Sequence, residues 1–138
     1  MVIKKHILNT FKESLERCQT DSQFLSRFYN KFVILNPEIR EKFSNTNMEN
    51  QKMMLHASLY MILLTTQGNN AASVYLDRVA KRHSKLELNI RPELYDLWLE
   101  TLIETVSETD VNFNEKIEHA WRSVMLHTID YMKSKYDE

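Results

Sequence analysis

One histidine, His83, ends an apolar helical stripe and is the residue of this chain best placed to do chemistry. The apolar positions that share its helical face lie seven, four and three residues earlier: Leu76, Val79 and Ala80. A helix is therefore predicted over residues 72–83, with the imidazole of His83 facing inward. A neutral imidazole in such a place can hold a metal. A lone inward histidine is equally compatible with a hydrogen-bonded core residue, so the surrounding pattern must decide.

The remaining histidines and the single cysteine give weaker indications of chemistry. No His-x-x-x-His or Glu-x-x-His pair occurs, so a zinc site or a di-iron bundle lacks sequence support. No Ser-His-Asp motif is visible, and Cys18 is expected to be inert near a predicted helix end. The one glycine, Gly68, cannot supply the loop that nucleotide binding requires. We interpret the other histidines away from the candidate site as surface or helix-packing residues: His6, His119 and His127.

The composition favours one compact domain, residues 1–138. Of the 138 residues, 43% are hydrophobic, which suits a single core. The 18 basic and 19 acidic residues nearly cancel, so neither a nucleic acid nor an anionic membrane surface is an expected partner. A lone cysteine and an N-terminus without the apolar core of a signal peptide favour a reducing, cytoplasmic location. The longest apolar run, residues 59–64, is far below the ~20 residues that span a bilayer.

Apolar residues recur with a period near 3.6 along the chain, which predicts an all-α fold of about seven helices. Glycine and proline are too few for the tight turns of hairpins. The predicted helices cover residues 3–20, 24–35, 37–42, 48–66, 72–83 and 92–108, with a last helix from Asn112 or Asn114. Asp21 or Ser22 is predicted to cap the second helix, and Asn36 the third.

Three motifs, in order along the chain, carry a resemblance to a known family. The first is Phe28-Tyr29, then Asn36-Pro37-Glu38 and Phe43; the second is Gln51-Lys52 with Leu55 four residues later; the third is Val79-Ala80-Lys81-Arg82-His83 leading to Arg91-Pro92-Glu93-Leu94-Tyr95. With this order and spacing the chain resembles a bacterial single-domain globin, related to the haem domain of flavohaemoglobins and to globin-coupled sensor domains. The resemblance covers nearly the whole chain. It implies a globin fold around a haem pocket, with haem b as the cofactor.

The resemblance assigns four residues to one side of the haem and its edge. His83 is the implied proximal ligand, which gives an imidazole nitrogen to the iron. Val79 is implied to contact the cofactor, and Tyr95 to pack beside the proximal histidine and help set its electronic effect on iron. Phe43 is the implied loop phenylalanine that wedges against the porphyrin. His83 is therefore the only side chain that the resemblance implies as a ligand to the metal.

On the opposite, distal side the resemblance implies two hydrogen-bond donors to the bound gas. Tyr29 would aim its hydroxyl at the gas, and Gln51 would be the second donor. Met54 and Leu55 would roof the pocket, with Leu55 limiting ligand access sterically. In another register His56 would become a sixth ligand, but then Gln51 and Leu55 lose their matched spacing, so this register is disfavoured.

Two departures from the flavohaemoglobin pattern affect the expected chemistry. Eight residues separate His83 from Pro92, two more than in those proteins, so a hydrogen bond from Tyr95 is not assured. The glutamate expected late in the last helix is missing, because Asp130 is the only acid from Met125 to Tyr136. A carboxylate that interacts with a proximal histidine raises its basicity and favours oxygen activation. These departures favour gas binding over catalysis.

Three functions remain open at this point. The first is reversible binding of dioxygen and other diatomic gases (NO, CO), with nitric oxide dioxygenase-like detoxification only if a separate reductase supplies electrons. The second is a stand-alone haem-based gas or redox sensor that signals to a partner protein. The third is a globin-like protein without haem, against which His83 argues. The oligomer is expected to be a monomer or a homodimer.

Overall fold

The computed structural model describes residues 3–137; the ends of the predicted domain, Met1, Val2 and Glu138, lie outside the described residues. Seven α-helices account for most of the described chain: α1 (Lys5–Thr20), α2 (Phe24–Phe32), α3 (Pro37–Lys42), α4 (Met48–Thr66), α5 (Asn70–Arg82), α6 (Glu93–Thr109) and α7 (Glu115–Ser134). No strand occurs between residues 3 and 137, so the all-α prediction is confirmed. None of the helices in this part of the chain is long and apolar enough to cross a membrane.

Asparagine caps begin four of the seven helices. The side-chain oxygen of each accepts the backbone N–H three residues later, at 2.8 to 3.2 Å: Asn36 from Ile39, Asn47 from Asn50, Asn69 from Ala72 and Asn114 from Ile117. Each such cap satisfies one of the backbone donors that a helix start leaves unpaired. The predicted cap at Asn36 is confirmed, and the last helix begins after Asn114, one of its two predicted starts. Helix α5 begins earlier than predicted because Asn69 caps it.

The ends of α2 differ from the sequence-based expectation. Gln23, not Asp21 or Ser22, occupies the N-cap position, and it makes no side-chain cap bond. The Asp21 carboxylate instead accepts the Gln23 N–H at 2.8 Å within the preceding turn. At the other end, α2 stops at Phe32 rather than at residue 35, because the backbone must extend at Asn36 to cap α3. Leu35 is consequently 46% exposed.

The core forms where α1 packs on α7 and α2 packs on α6. Its centre is the fully buried Trp121, whose ring meets Phe11 edge to face with centroids 4.8 Å apart. Its indole N–H donates to the Ser14 hydroxyl at 2.8 Å, and Ser14 in turn donates to the carboxylate of Asp110 at 2.6 Å. The partly exposed Arg17 completes this network with a hydrogen bond of 2.6 Å to the buried Asp110. Two helices, α1 and α7, and the residue that follows α6 are thus joined by polar contacts at the edge of an apolar core.

The inward face of α4 is narrower than predicted. Leu55 and Leu59 are buried, with Ile62 and Leu63 completing the stripe toward the C-terminal end. Met54 was predicted to share this face, but it is 59% exposed. Consecutive helical residues point about 100° apart, so a stripe that runs through residues four positions apart leaves Met54 at its margin. Met54 therefore does not roof a buried pocket in this structure.

Candidate functional site

His83 lies immediately after the last residue of α5, as its C-cap. The backbone N–H of His83 donates to the Val79 carbonyl at 3.0 Å, and the ring nitrogen Nδ1 lies 2.8 Å from the same oxygen. A carbonyl can only accept, so Nδ1 carries the ring proton. The neutral ring then has its lone pair on Nε2, for which residues 3–137 provide no hydrogen-bond partner. This is the tautomer that a metal ligand requires, oriented by the helix that carries it.

The surroundings of His83 also favour its neutral form. Burial lowers the pKa of His83 below its ordinary value, the bond to Val79 opposes this effect, and the neighbouring Arg82 guanidinium lowers the pKa further. A neutral imidazole has an electron pair to give to a metal, whereas an imidazolium has none. Around it, the described residues contain no group of three or more His, Cys, Asp or Glu side chains that could hold a metal ion. His83 would therefore act as a single ligand.

The long loop after His83 is ordered by its own hydrogen bonds. The N–H of Ile90 donates to the His83 carbonyl at 3.0 Å, and Asn89 adopts a left-handed backbone with φ 52°. Arg91, at the end of the loop, forms a bidentate ion pair with Glu38 of α3. Its Nε donates to Glu38 Oε2 at 2.8 Å. Lys42 donates to the Leu88 carbonyl at 3.2 Å. The loop is therefore bound to α3 at Leu88 and Arg91.

Tyr29 and Gln51 come together from α2 and α4. The amide Nε2 of Gln51 donates to the Tyr29 hydroxyl oxygen at 3.1 Å. Because the hydroxyl oxygen accepts this bond, its own proton stays available for another acceptor. Burial raises the pKa of Tyr29 to about 12, although the Gln51 hydrogen bond lowers it somewhat, so the phenol stays protonated at neutral pH. The pair can therefore present a hydrogen-bond donor inside the protein.

Aromatic rings and Leu55 surround this donor pair. Phe43, the C-cap of α3, meets the ring of Tyr29 at 5.8 Å between centroids and that of Phe32 at 6.0 Å. Leu55 is 8% exposed and lies one helical turn after Gln51 on α4. The structure thus brings Tyr29, Phe43 and Gln51 together, with Leu55 one turn further along α4.

The other residues singled out from the sequence have different surroundings. Tyr95 is buried in α6 and burial raises its pKa, but its hydroxyl finds no hydrogen-bond partner within residues 3–137. The ring of His83 bonds the Val79 carbonyl and not Tyr95. Val79 therefore contacts His83 through its backbone, while its own side chain is half-buried. His56 is exposed and packs against Tyr60 with centroids 5.6 Å apart. Asp130 is exposed on α7.

Sequence reasoning missed two features that matter to the site. The carbonyl of Val79 was not recognised as the acceptor for His83, although the spacing of four residues at a helix end was an available signal. The anchoring of the loop by the Glu38 and Arg91 pair had no sequence signal, because 53 residues separate the partners. The first feature orients the ring of His83, and the second holds the loop that follows it.

Comparisons with known proteins find a family model and a solved structure that match this chain. The model of the globin family matches residues 26–132. A crystal structure from Pseudomonas aeruginosa PAO1, of a protein described as structurally highly homologous to a human haemoglobin, superposes with a TM-score of 0.90. The two chains are 35% identical, and the match covers 96% of this chain and 99% of the other. No curated protein matches the chain.

Proposed function

Because this chain belongs to the globin family, we propose that it holds haem b through His83 and reversibly binds dioxygen and other diatomic gases. The observation that carries the proposal is the ring of His83, whose Nδ1 bonds the Val79 carbonyl at 2.8 Å and whose Nε2 has no partner among the described residues. Family membership implies haem binding. The orientation of this ring supports His83 as the residue that provides the axial nitrogen.

The residues present suit haem on chemical grounds. A haem needs one strong axial ligand and an otherwise apolar, aromatic environment. His83 is the neutral imidazole, and Phe43 is a half-buried aromatic side chain that we assign to the porphyrin edge. When bound, the haem iron would supply the site at which a diatomic gas is held. The protein contributes the ligand, the exclusion of water and the hydrogen bonds around that gas.

The distal donors favour polar gases such as dioxygen. The Tyr29 hydroxyl keeps its proton and is held by Gln51, so we assign Tyr29 as the direct donor and Gln51 as the residue that positions it. One such hydrogen bond contributes about 1 kcal/mol, which corresponds to about fivefold in affinity. High affinity for dioxygen, with slow release, is the expected consequence.

The proximal side supports binding rather than oxygen activation. The hydrogen-bond partner of His83 is a neutral backbone carbonyl, and not a carboxylate that would make the imidazole more basic. Tyr95 does not bond the His83 ring either. We therefore propose gas binding as the primary function, with nitric oxide detoxification as an activity that would need electrons from a separate reductase.

Visible absorption of the purified protein, supplemented with haem, tests the proposal. We expect a strong Soret band for the wild-type protein and a weak or shifted one for His83→Ala. His119→Ala is the matched control, because His119 is exposed on α7, and its spectrum should equal that of the wild type. A folded wild-type protein that stays colourless after haem supplementation would refute the proposed function.

A further inference from the structure

The corner cleft, a cavity of about 400 Å³, lies between the end of α1, the start of α2 and the first half of α4. Its α4 side is one face of the helix, at spacings of three and four residues: Glu49, Lys52, Met53 and His56. Gln51 and Leu55 lie on another face of the same helix and do not line this cleft. The corner cleft is therefore separate from the proposed gas site.

The charges of the corner cleft are already matched in pairs. The Asp21 carboxylate accepts the Gln23 N–H at 2.8 Å and a guanidinium N–H of Arg27 at 3.1 Å, and these bonds lower the pKa of Asp21 below its ordinary value. Glu49 is paired with Lys52 at 3.1 Å. Opposite charges this close to each other largely cancel at the distance of a ligand. The cleft therefore gives a free cation or anion little reason to bind.

Several uncharged polar groups of the corner cleft have no hydrogen-bond partner. The amide Nε2 of Gln19 donates to the His56 carbonyl at 3.0 Å, which leaves Gln19 Oε1 buried and without a partner among residues 3–137. Buried acceptors without a partner are uncommon in folded proteins. The hydroxyls of Ser22 and Ser26 and the ring nitrogens of His56 also make no hydrogen bond within this part of the chain. The cleft thus offers donors and acceptors that the protein itself does not use.

The size and lining of the corner cleft suit a small molecule with hydroxyl groups on more than one edge. Sites for small molecules occupy about 300 to 1,000 Å³, and the cleft falls in this range. Ser22 and Ser26 lie one helical turn apart on the α2 side, whereas His56 lies on the α4 side, so one ligand bonds both sides only through separate groups. Leu25 and Met53 supply apolar contacts, and Met53 is 70% exposed without an occupant.

We propose that the corner cleft binds an uncharged, polyhydroxylated small molecule, of the class of polyols and monosaccharides. Each hydroxyl of such a molecule both donates and accepts, as the mixed groups of the cleft require. Ser22, Ser26 and His56 would bond its hydroxyls, and its C–H face would pack on Leu25 and Met53. A hydroxyl that reaches Gln19 Oε1, after a small movement of the side chains that cover it, would complete the one buried acceptor of the cleft that lacks a partner among the described residues.

Saturation-transfer difference NMR of the full chain, with glucose and with sorbitol as probes, tests the proposal. Both probes should receive saturation from the wild-type protein, and the effect should reach a plateau with probe concentration. Ser26→Ala should weaken binding severalfold, because it removes a hydroxyl of the cleft without adding volume. Ser123→Ala is the matched control: Ser123 is also half-buried but lies on α7, outside the cleft, so its change should leave binding unaltered.

Two results would overturn the proposal. One is the absence of saturable binding of both probes to a wild-type protein whose circular dichroism shows folded helices. The other is equal affinity of the wild type and of the double variant Ser22→Ala/Ser26→Ala, which would place the bound probe elsewhere on the protein.

Charged relatives of glucose test the class of ligand. Gluconate and glucosamine should each bind severalfold more weakly than glucose, because the carboxylates of the corner cleft are already paired; tighter binding of either one would overturn the uncharged class. The binding of these probes does not require haem. A folded protein that stays colourless after haem supplementation but binds glucose would refute the proposed gas-binding function and support the corner cleft as a site.

Discussion

The amide of Gln51 donates a hydrogen bond of 3.1 Å to the hydroxyl oxygen of Tyr29, across 22 residues of sequence. We therefore expect the two side chains to act in series: Gln51 positions Tyr29, and only Tyr29 contacts a bound gas. Gln51 fixes the phenol, and the phenol keeps a proton with which it can meet a bound gas. In that case the effects of substituting Gln51 and Tyr29 are not additive, because a positioning residue loses its effect once the residue that it positions is gone.

Substitution of Tyr29 by phenylalanine should speed dioxygen dissociation about fivefold or more, since one hydrogen bond of about 1 kcal/mol is lost. Gln51→Ala should have a smaller effect in the same direction. The double variant should dissociate dioxygen at the rate of Tyr29→Phe alone. Stopped-flow replacement of dioxygen by carbon monoxide measures all three rates, and independent, multiplicative effects of the two substitutions would contradict action in series.

The cap of the helix that carries His83 should be measurable in stability. Asn69→Ala removes the side-chain oxygen that accepts the Ala72 N–H at 2.9 Å, and should lower the free energy of unfolding by about 1 kcal/mol. Asn9→Ala is the control, because Asn9 is exposed inside α1. Alanine is the better helix former there, so this control should be neutral or slightly stabilising in urea titrations. Equal destabilisation by both changes would show that the cap contributes nothing particular to α5.

Asp110 should make the fold sensitive to acid. Burial by itself would raise the pKa of Asp110, but hydrogen bonds from Arg17, Ser14 and the Asn112 N–H outweigh it and hold the pKa below the ordinary value of 3.8. The folded state thus binds this proton less readily than the unfolded state. The stabilisation from Asp110 is complete above pH 3.8 and is lost as the pH falls through the lower, folded-state pKa.

Asp110→Asn tests this account of acid sensitivity. Removal of the charge from the partly buried ion pair with Arg17 should cost about 2 kcal/mol at neutral pH, because hydrogen bonds to a charged acceptor are lost or weakened. The stability of the variant, measured by urea titration at a series of pH values, should decrease less steeply in acid than that of the wild type. If the free energy of unfolding of the variant falls in acid as steeply as that of the wild type, carboxylates other than Asp110 cause the acid sensitivity.

Nitric oxide consumption should separate binding from turnover. The oxygenated protein should consume about one equivalent of nitric oxide and then stop, because the residues around His83 supply no electrons to restore the ferrous state. A nitric oxide electrode records the stoichiometry. Addition of a ferredoxin or flavin reductase together with NADPH, in the presence of dioxygen, should restart consumption. Sustained consumption without any reductant would contradict the proposal that a separate reductase is needed.

Local features of this fold were predictable from sequence. The bounds of α3 and α4 follow from Asn36, Pro37 and the polar segment before Met48, since caps and proline act within a few residues. The start of α5 was predicted two residues late, because Gly68 and the asparagines after it were interpreted only as a helix stop. Asn69 does both: it follows the end of α4 and caps α5.

Contacts between distant residues were the least predictable. Trp121 and Ser14 lie 107 residues apart, and neither segment contains a pattern that predicts their hydrogen bond. The meeting of Tyr29 with Gln51 was expected through family resemblance and not through spacing. Met54 was predicted to face inward, from periodicity and from the resemblance, and is exposed, because a helical face has a margin that only packing against neighbours defines.

The central claim is that His83 binds iron through Nε2, and resonance Raman spectroscopy of the ferrous, gas-free protein tests it most directly. The wild-type protein should show an iron–imidazole stretching band. His83→Gly should lack this band and regain it, at a shifted frequency, when free imidazole is added to occupy the vacated position. A band that persists unchanged in His83→Gly, or a six-coordinate spectrum that disappears in His56→Ala, would contradict the assignment of His83 as the sole protein ligand.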